Sequence, residues 1–552
     1  MDYFDLGPYS KSVTTGSPEA QTWFDRGLNW LYCYNHGEAI VCFTKAVEAD
    51  PACAMAHWGV AYAAGPNYNL PWHLYDPKGR AKALEMAYDA MQGALEHAGG
   101  ATEVEQALIH ALPARYPQRE AIDDMMPWNA DFTNAMREVS RRFSADPDVR
   151  TVFVEAIMNE TPWQMWDLST GGVAEGAGTE EAQAVLEDAF DTLDGAWDHP
   201  CLLHLYVHLM EMSPHPEKAL RQSDRLRDIM PDGGHLIHMP THIDVQVGAY
   251  KDTMVYNQKA LVADRKFLAY AKNPGVYLLY IIHNFHFTIY GAMFLGQYRS
   301  AMAAAEELIA TVPEDVLRVE SPPMGDFLEA YLSMKQHVMV RFGRWQEIID
   351  QPLPHDPDLY CATTAMMLYA KSVAHSALGN VSEAEGHREL FVAAKGRVTK
   401  GRRVHNNTVA DLLEVAEAML DGELEYRKGN YPAAYDHLRR SVALDDALPY
   451  DEPWGWMQPA RHALGALLLE QGHVEEAEAV YRADLGLDGT LSRASQHLEN
   501  VWSLHGLHEC LVQRGAAAEA AMIKQRLDLA QARADVPIKA SCFCRQVAMA
   551  AE

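Results

Sequence analysis

Large apolar residues recur along this chain at helical spacing, with small residues at fixed places between them. In "AQTWFDRGLNWLYCYNHGEAIVCFTKAVEADP", residues 20–51, the markers are Trp23, Gly27, Tyr34, Ala39, Phe43, Ala46 and Pro51. The pattern predicts two antiparallel helices. Gly27 and Ala39 are small where the helices cross, the bulky residues fill the space between them, and Pro51 stops the second helix. The same grammar returns near the C-terminus with Gly422, Ala434 and Leu438, then Gly465, Ala477 and Tyr481, then Gly506 and Ala518. Between these, "HPEKALRQSDRLRDIMPD", "GAYKDTMVYNQKALVAD" and "GQYRSAMAAAEELIATVP" each read as the second helix of a pair. No convincing period-two strand interrupts the series.

These spacings resemble the tetratricopeptide repeat (TPR). The expected fold is all-α: a right-handed superhelical solenoid of about a dozen TPR-like helical hairpins enclosing a concave lumen. It is read as one array over 1–552, with N-terminal repeats and Trp-rich loops in 1–180 and His-rich central repeats in 181–310. C-terminal repeats fill 311–535 and a Cys-containing tail occupies 536–552. Three loops rich in Pro, Gly and Trp break the array at 64–79, 159–178 and 448–459. Such loops either fold over the concave face and close a pocket or cap the ends of the superhelix.

Charge narrows the partners. Asp and Glu number 76 against 46 Lys and Arg, a formal charge of −30. That excess disfavours nucleic acid and anionic membrane surfaces and favours cations. The start, "MDYFDLGPYSKSV", lacks the basic and apolar regions of a secretory signal, and no apolar run suits a membrane span. Eight scattered cysteines suit reduced thiols, so a cytoplasmic location is expected.

Histidines carry the candidate chemistry. With Ala219 as the small residue of a second helix, His204 and His208 fall on the preceding first helix, one turn apart. With Thr253 in that role one repeat later, His238 and His242 occupy the same two positions, and with Ala301 next, His286 follows. Residues at i and i+4 share a helix face, so both imidazoles of a His-x-x-x-His can reach one metal. His283 precedes His286 by three and could join it, while Glu211, Asp244 and Asn284 are candidates to fix ring tautomers. His235 is read as lying before its helix and ranks second. His73, His199, His215, His405 and His473 are read as surface or loop residues. There is no His-Glu-x-x-His.

Further candidates stand elsewhere. His57 on an early helix could complete a ligand set or pack beside Trp58. Glu155 and Asn159, four apart, could serve catalysis, or Glu155 could pair with an arginine. Tyr68, Asn69, Trp163 and Trp166 could wall a substrate pocket or anchor their loops. Cys542-x-Cys544 could bind copper or zinc, form a redox disulfide, or lie idle.

Taken together, "AHWGVAYAAGPNYN", "EAIMNETPWQMW", "HLIHMPTHID" with Gly248-Ala249-Tyr250, "HNFHF", "VRFGRWQEII" and "SCFC" resemble a group of bacterial TPR proteins with a His-rich core and poorly defined function. The resemblance spans most of the chain and implies that the His, Glu and Asn positions occur as a set with the repeats. Thr241 stands where many relatives have Ser.

The leading expectation is a metal-dependent enzyme that oxidises or oxygenates a small organic substrate. Its transition metal is copper first, with zinc or iron as alternatives. A dinuclear copper arrangement would place one ion on His204 and His208 and another on His238 and His242, completed by His283, His286 or His57. Glu155 would be a ligand or general base. The alternatives are a mononuclear zinc or iron enzyme, metal storage or sensing, and a non-catalytic scaffold that binds a peptide or partner protein on its concave face.

Overall fold

Glycines and aromatic rings interlock at helix crossings in both parts of the chain. In the computed structural model, which describes residues 3–271 and 274–545, the first helices are α1 (Pro18–Tyr32), α2 (His36–Ala49) and α3 (Ala54–Ala64). The Phe43 ring of α2 lies against both flanking helices. A Cβ on Gly27 of α1 would stand 2.7 Å from that ring, and one on Gly59 of α3 only 2.5 Å away. Any side chain at either glycine would push the helices apart. The residues read as repeat markers are therefore the ones at which helix–helix distance is set.

The fold is all-α, a succession of TPR-like antiparallel helical hairpins. The only strands among the described residues are a hairpin of two two-residue pieces, Arg403–Val404 and Asn407–Thr408. No helix is long and apolar enough to cross a membrane, again among the described residues. The chain divides into two compact units: residues 1–243 with 259–281, and residues 244–258 with 282–552.

In the first unit the series continues through α4 (Pro77–His97), α5 (Glu103–Arg115), α6 (Pro127–Arg142), α7 (Pro147–Met158), α8 (Thr179–Thr192), α9 (Pro200–Met210) and α10 (Leu220–Leu226). The starts of these helices are built as the sequence dictates. Asp76, Thr102 and Asp146 cap α4, α5 and α7 through side-chain oxygens, and Pro occupies the first turn of α4, α6, α7 and α9. Every residue of α9 is buried, as expected for a helix that is apolar apart from its two histidines and the Tyr206 hydroxyl. Two short helices follow, α11 (Gly234–His238) and α12 (Pro240–Gln246).

The two Trp-rich loops of this unit turn inward. Trp72 and Tyr68 are buried, and the Trp163 N–H donates to Tyr68 Oη at 3.2 Å. Trp166 donates through Nε1 to the Leu209 carbonyl at 2.6 Å, which ties the second loop to α9. Of the two expectations for these loops, covering the inner helices describes the packing within this unit.

The second unit repeats the glycine–aromatic device. Tyr481, on helix Val474–Asp484, lies between Gly465 and Gly506, whose added Cβ atoms would meet its ring at 2.5 Å and 2.2 Å. Gly422 likewise takes Leu438 at 2.6 Å. The third Trp-rich loop packs here: Trp456 is buried, and Trp454 donates to Asp445 at 3.1 Å.

Gly59→Ala and Gly506→Ala are each expected to lower stability by about 1–3 kcal/mol through overpacking. The readout is the urea unfolding midpoint of each variant. An unchanged midpoint would show that the Phe43 or Tyr481 ring can move aside.

Candidate metal centre

Helix α9 presents His204 and His208 one turn apart, with ring centroids 4.8 Å from each other. Both are fully buried. The His204 Nδ1–H donates to the Tyr32 carbonyl at 2.9 Å, which leaves Nε2 with its lone pair. His208 Nδ1 donates to Glu211 at 3.0 Å, with the same consequence. A metal-binding imidazole needs this state, one nitrogen protonated and anchored and the other bare. Burial pushes the His204 imidazole down to about 3, so it stays neutral across the physiological range.

His235 completes the group. Its Nε2 lies 3.1 Å from His204 Nε2, and one nitrogen from each of His204, His208 and His235 falls within 4.8 Å of the others. Two nitrogens bound at about 2.0–2.1 Å to one tetrahedral ion are separated by roughly 3.3 Å, so the 3.1 Å spacing is close to that of a shared ligand pair. His235 lies within its helix and not before it, as the sequence reading had it: helix α11 starts at Gly234, so His235 and His238 stand at i and i+3 on one face, with rings 5.8 Å apart. Gly233-Gly234 was the available signal. A Cβ on Gly234 would meet Asp264 at 2.1 Å, and only glycine lets the helix begin there.

The second pair adjoins the first. His238 and His242 bring their Nε2 atoms to 2.7 Å, across the break that Pro240 makes between α11 and α12. His242 Nδ1 donates to Glu211 Oε2, the carboxylate that already holds His208 through Oε1. The His208 and His242 rings lie 5.9 Å apart. Glu211 is thus the acceptor shared by both histidine pairs.

Tyrosines close the site. Tyr34 adopts φ 54° where α1 ends, a left-handed conformation uncommon outside glycine. Its ring stacks on His208 and His235 at centroid distances of 6.0 and 5.5 Å. Tyr68 packs on His208 at 4.9 Å, and Tyr280 on His235 at 4.8 Å. Asn69 hydrogen-bonds Tyr280. The sequence marked Tyr34 only as a repeat residue and gave Tyr280 no role.

Glu155 belongs to the same unit. It is buried on α7 and accepts from Tyr62 Oη. Burial raises its carboxyl above the usual range, an effect that the Tyr62 hydrogen bond and the Arg115 charge oppose. Arg115, the kind of partner weighed from sequence, acts on Glu155 through its charge. Asn159 ends α7, where its carbonyl accepts from Asn129 at 2.9 Å. Its side-chain oxygen is buried with no hydrogen-bond partner among the described residues.

The other predicted residues differ in their surroundings. His57 is half-buried, bonded to the Pro51 carbonyl at 3.0 Å and stacked on His97 at 5.6 Å, so its partners are not those of the cluster. Trp58 stacks on Tyr62 instead. His283 and His286 belong to the second unit, as do Asp244 and Asn284. There His283 packs on Phe287 at 5.0 Å, and His286 Nε2 lies 2.8 Å from Met457 Sδ. His199 is corrected from surface to core. It caps α9, takes the Leu202 N–H on Nδ1 and approaches buried Asp148 at 3.4 Å through Nε2. His73, His215 and His473 are exposed, and His405, in a loop, pairs with Asp451 at 2.6 Å. Cys542 and Cys544 lie in the second unit, joined to each other by a disulfide.

No family model matches the sequence, and no curated protein does. Among solved structures the chain is similar to the human IFIT1 dimer with PPP-AAAA, at 12% identity and a TM-score of 0.34, over 92% of this chain and 96% of that one. It is similar to the APC/C hetero-tetramer Cut9–Hcn1 at 13% identity and a TM-score of 0.30, over 89% and 76%. Yeast Tom70 shares 10% identity at a TM-score of 0.25, over 92% and 98%. Likenesses of this size bring no function to the chain.

Replacing Glu211 by Gln leaves a single good acceptor for two Nδ1–H donors. It should cost about 1–3 kcal/mol in metal-free protein, read by urea unfolding. Unaltered stability would mean that Glu211 does not hold both rings.

Burial also lowers His36 to about 4 and His337 to about 3, from an ordinary 6.5. Below pH 6.5 the unfolded chain binds protons that the folded chain refuses, so stability is lost as pH falls. Each such ring contributes up to ~1.4 kcal/mol per pH unit. The unfolding midpoint should drop between pH 7 and 5, and a flat profile would contradict the burial of these rings.

Proposed function

We propose that the chain is a TPR-like helical-repeat protein that carries a transition-metal centre on His204, His208 and His235. One observation supports this above the rest: three buried imidazoles converge on one point, and those of His204 and His208 hold their far nitrogens on fixed acceptors. Three imidazole ligands suit copper, zinc or iron and do not suit magnesium or calcium. Copper is our first choice because a second pair, His238 and His242, adjoins the first across Glu211.

The finer reading is oxidation or oxygenation of a small organic substrate. Copper bound there would supply one-electron and dioxygen chemistry. The chain's own residues would exclude water with Tyr34 and Tyr68, orient substrate through the Asn159 carboxamide, and hold or release a proton at Glu155. The Trp163 and Trp166 loop would cover the substrate.

A second reading rests on a different observation. In the second unit, Arg341 and Arg427 donate to the main-chain carbonyls of Ser541 and Cys544. Holding a chain segment by its backbone carbonyls is what a peptide-binding scaffold must do. On this reading the protein binds a peptide or partner protein and is not catalytic.

Elemental analysis of full-length protein decides between them. Protein purified without added metal, then offered copper, zinc and iron(II) in turn, should retain about one ion per chain or more. His204→Ala/His235→Ala should lose it while keeping the parent circular dichroism. If the parent takes up no metal stoichiometrically, the metal centre is refuted and the scaffold reading stands alone.

A further inference from the structure

The C-terminal segment folds back into the second unit and is held there tightly. Arg341 donates to the Ser541 carbonyl, and Ser541 Oγ donates to the His462 carbonyl at 2.9 Å while meeting Tyr481 Oη at 2.5 Å. Arg545 pairs with Glu509 at 2.7 Å, and Phe543 packs on Trp502 at 5.8 Å. The two cysteines between these anchors are disulfide-bonded and unequal: Cys542 is half-buried and Cys544 is buried. Against them stands helix Val409–Arg427. Its Arg427 holds the Cys544 carbonyl, and one turn earlier its buried Glu423 brings a carboxyl oxygen within 4.8 Å of both sulfurs.

We propose that Cys542 and Cys544, with Glu423 as their proton carrier, form a thiol–disulfide exchange centre for small thiols and disulfides. The three side chains divide the work. Cys542 is the more exposed of the two residues, and the Cys544 N–H donates to its Sγ at 3.2 Å, which favours its thiolate. The Glu423 carboxyl is within reach of both sulfurs. Burial pushes that carboxyl up to about 7, so it can exchange a proton near neutral pH. The six other cysteines are free thiols, all buried.

The exchange balances as follows. A substrate thiolate attacks Cys542 Sγ, forming a mixed disulfide and breaking the Cys542–Cys544 bond. Cys544 leaves as thiolate and takes the proton of the Glu423 carboxyl. A second substrate thiolate attacks the substrate sulfur of the mixed disulfide and expels the Cys542 thiolate. One small disulfide leaves, and the protein pair has gained two electrons. Protons from water restore Cys542 and Glu423. The reverse direction consumes a small disulfide as oxidant.

The test equilibrates full-length protein with glutathione buffers of graded thiol-to-disulfide ratio. After acid quenching and differential alkylation, mass spectrometry reads the tail peptide. Cys542 and Cys544 should interconvert together while the other six stay reduced. Cys544→Ser should trap a mixed disulfide between glutathione and Cys542. Glu423→Gln should slow exchange on the order of a hundredfold, with Glu423→Asp restoring most of the rate and neither changing the unfolding midpoint. A pair locked in one state across all native buffers, or no trapped adduct in Cys544→Ser, overturns the centre. An unaltered rate in Glu423→Gln removes the carboxyl from it. A stoichiometric metal that Cys542→Ser/Cys544→Ser alone abolishes would replace exchange with metal binding.

Discussion

A carboxylate with no exposed surface, Glu211, accepts one N–H from His208 and another from His242. An isolated buried carboxylate would cost several kcal/mol and would protonate instead. Two imidazole donors, one on each oxygen, make its burial tolerable. They also couple α9 to α12 and decide which nitrogen of each ring faces the cluster. Glu211 holds Nδ1 of both rings, and the Nε2 of His242 meets that of His238 at 2.7 Å. The Tyr32 carbonyl holds Nδ1 of His204. The candidate centre is therefore specified by what lies behind the rings as much as by the rings themselves.

Helices can hold rings this closely only where their spacing is fixed. Phe43 between Gly27 and Gly59, and Tyr481 between Gly465 and Gly506, are the same solution used once in each unit. A ring fills the place where a side chain on the neighbouring helix would sit, and glycine is the one residue that yields it. Such a frame serves binding of a partner or a buried ion equally well, so architecture alone does not choose between them. The choice turns on what the inner helices carry. In the first unit that is imidazole, phenol and carboxyl. In the second it is guanidinium groups directed at a backbone.

The two candidate chemistries are also separated by ligand type. Imidazoles anchored through Nδ1 in the first unit suit a borderline metal ion. The second unit places sulfur beside a buried carboxyl, where Arg341, Arg427 and Arg545 hold the tail on either side of the cysteines. Proton and electron transfer at sulfur needs a nearby acid more than it needs a metal. Neither feature requires the other.

Much of this was legible in the sequence. Apolar periodicity and the small-residue positions predicted helical hairpins, because only glycine or alanine permits the close crossings that the repeat requires. The i, i+4 spacing of His204 with His208 and of His238 with His242 predicted two same-face pairs, since that face is fixed by helical geometry alone. Glu211 was legible as a tautomer-fixing group from its place one turn after His208. The third ligand was not. His235 entered the cluster because Gly233-Gly234 starts its helix early, a boundary that depends on the contact of Gly234 with Asp264. His57 stayed away because its ring packs on α4, and His199 was buried by Asp148, which lies 51 residues earlier in the chain. The sequence by itself determined the helices, their hairpin pairing and the faces on which the histidines ride, because those follow from local periodicity. Which rings meet, which nitrogen each presents and which cysteine is the more exposed were decided by tertiary packing, because each depends on a partner remote in the chain.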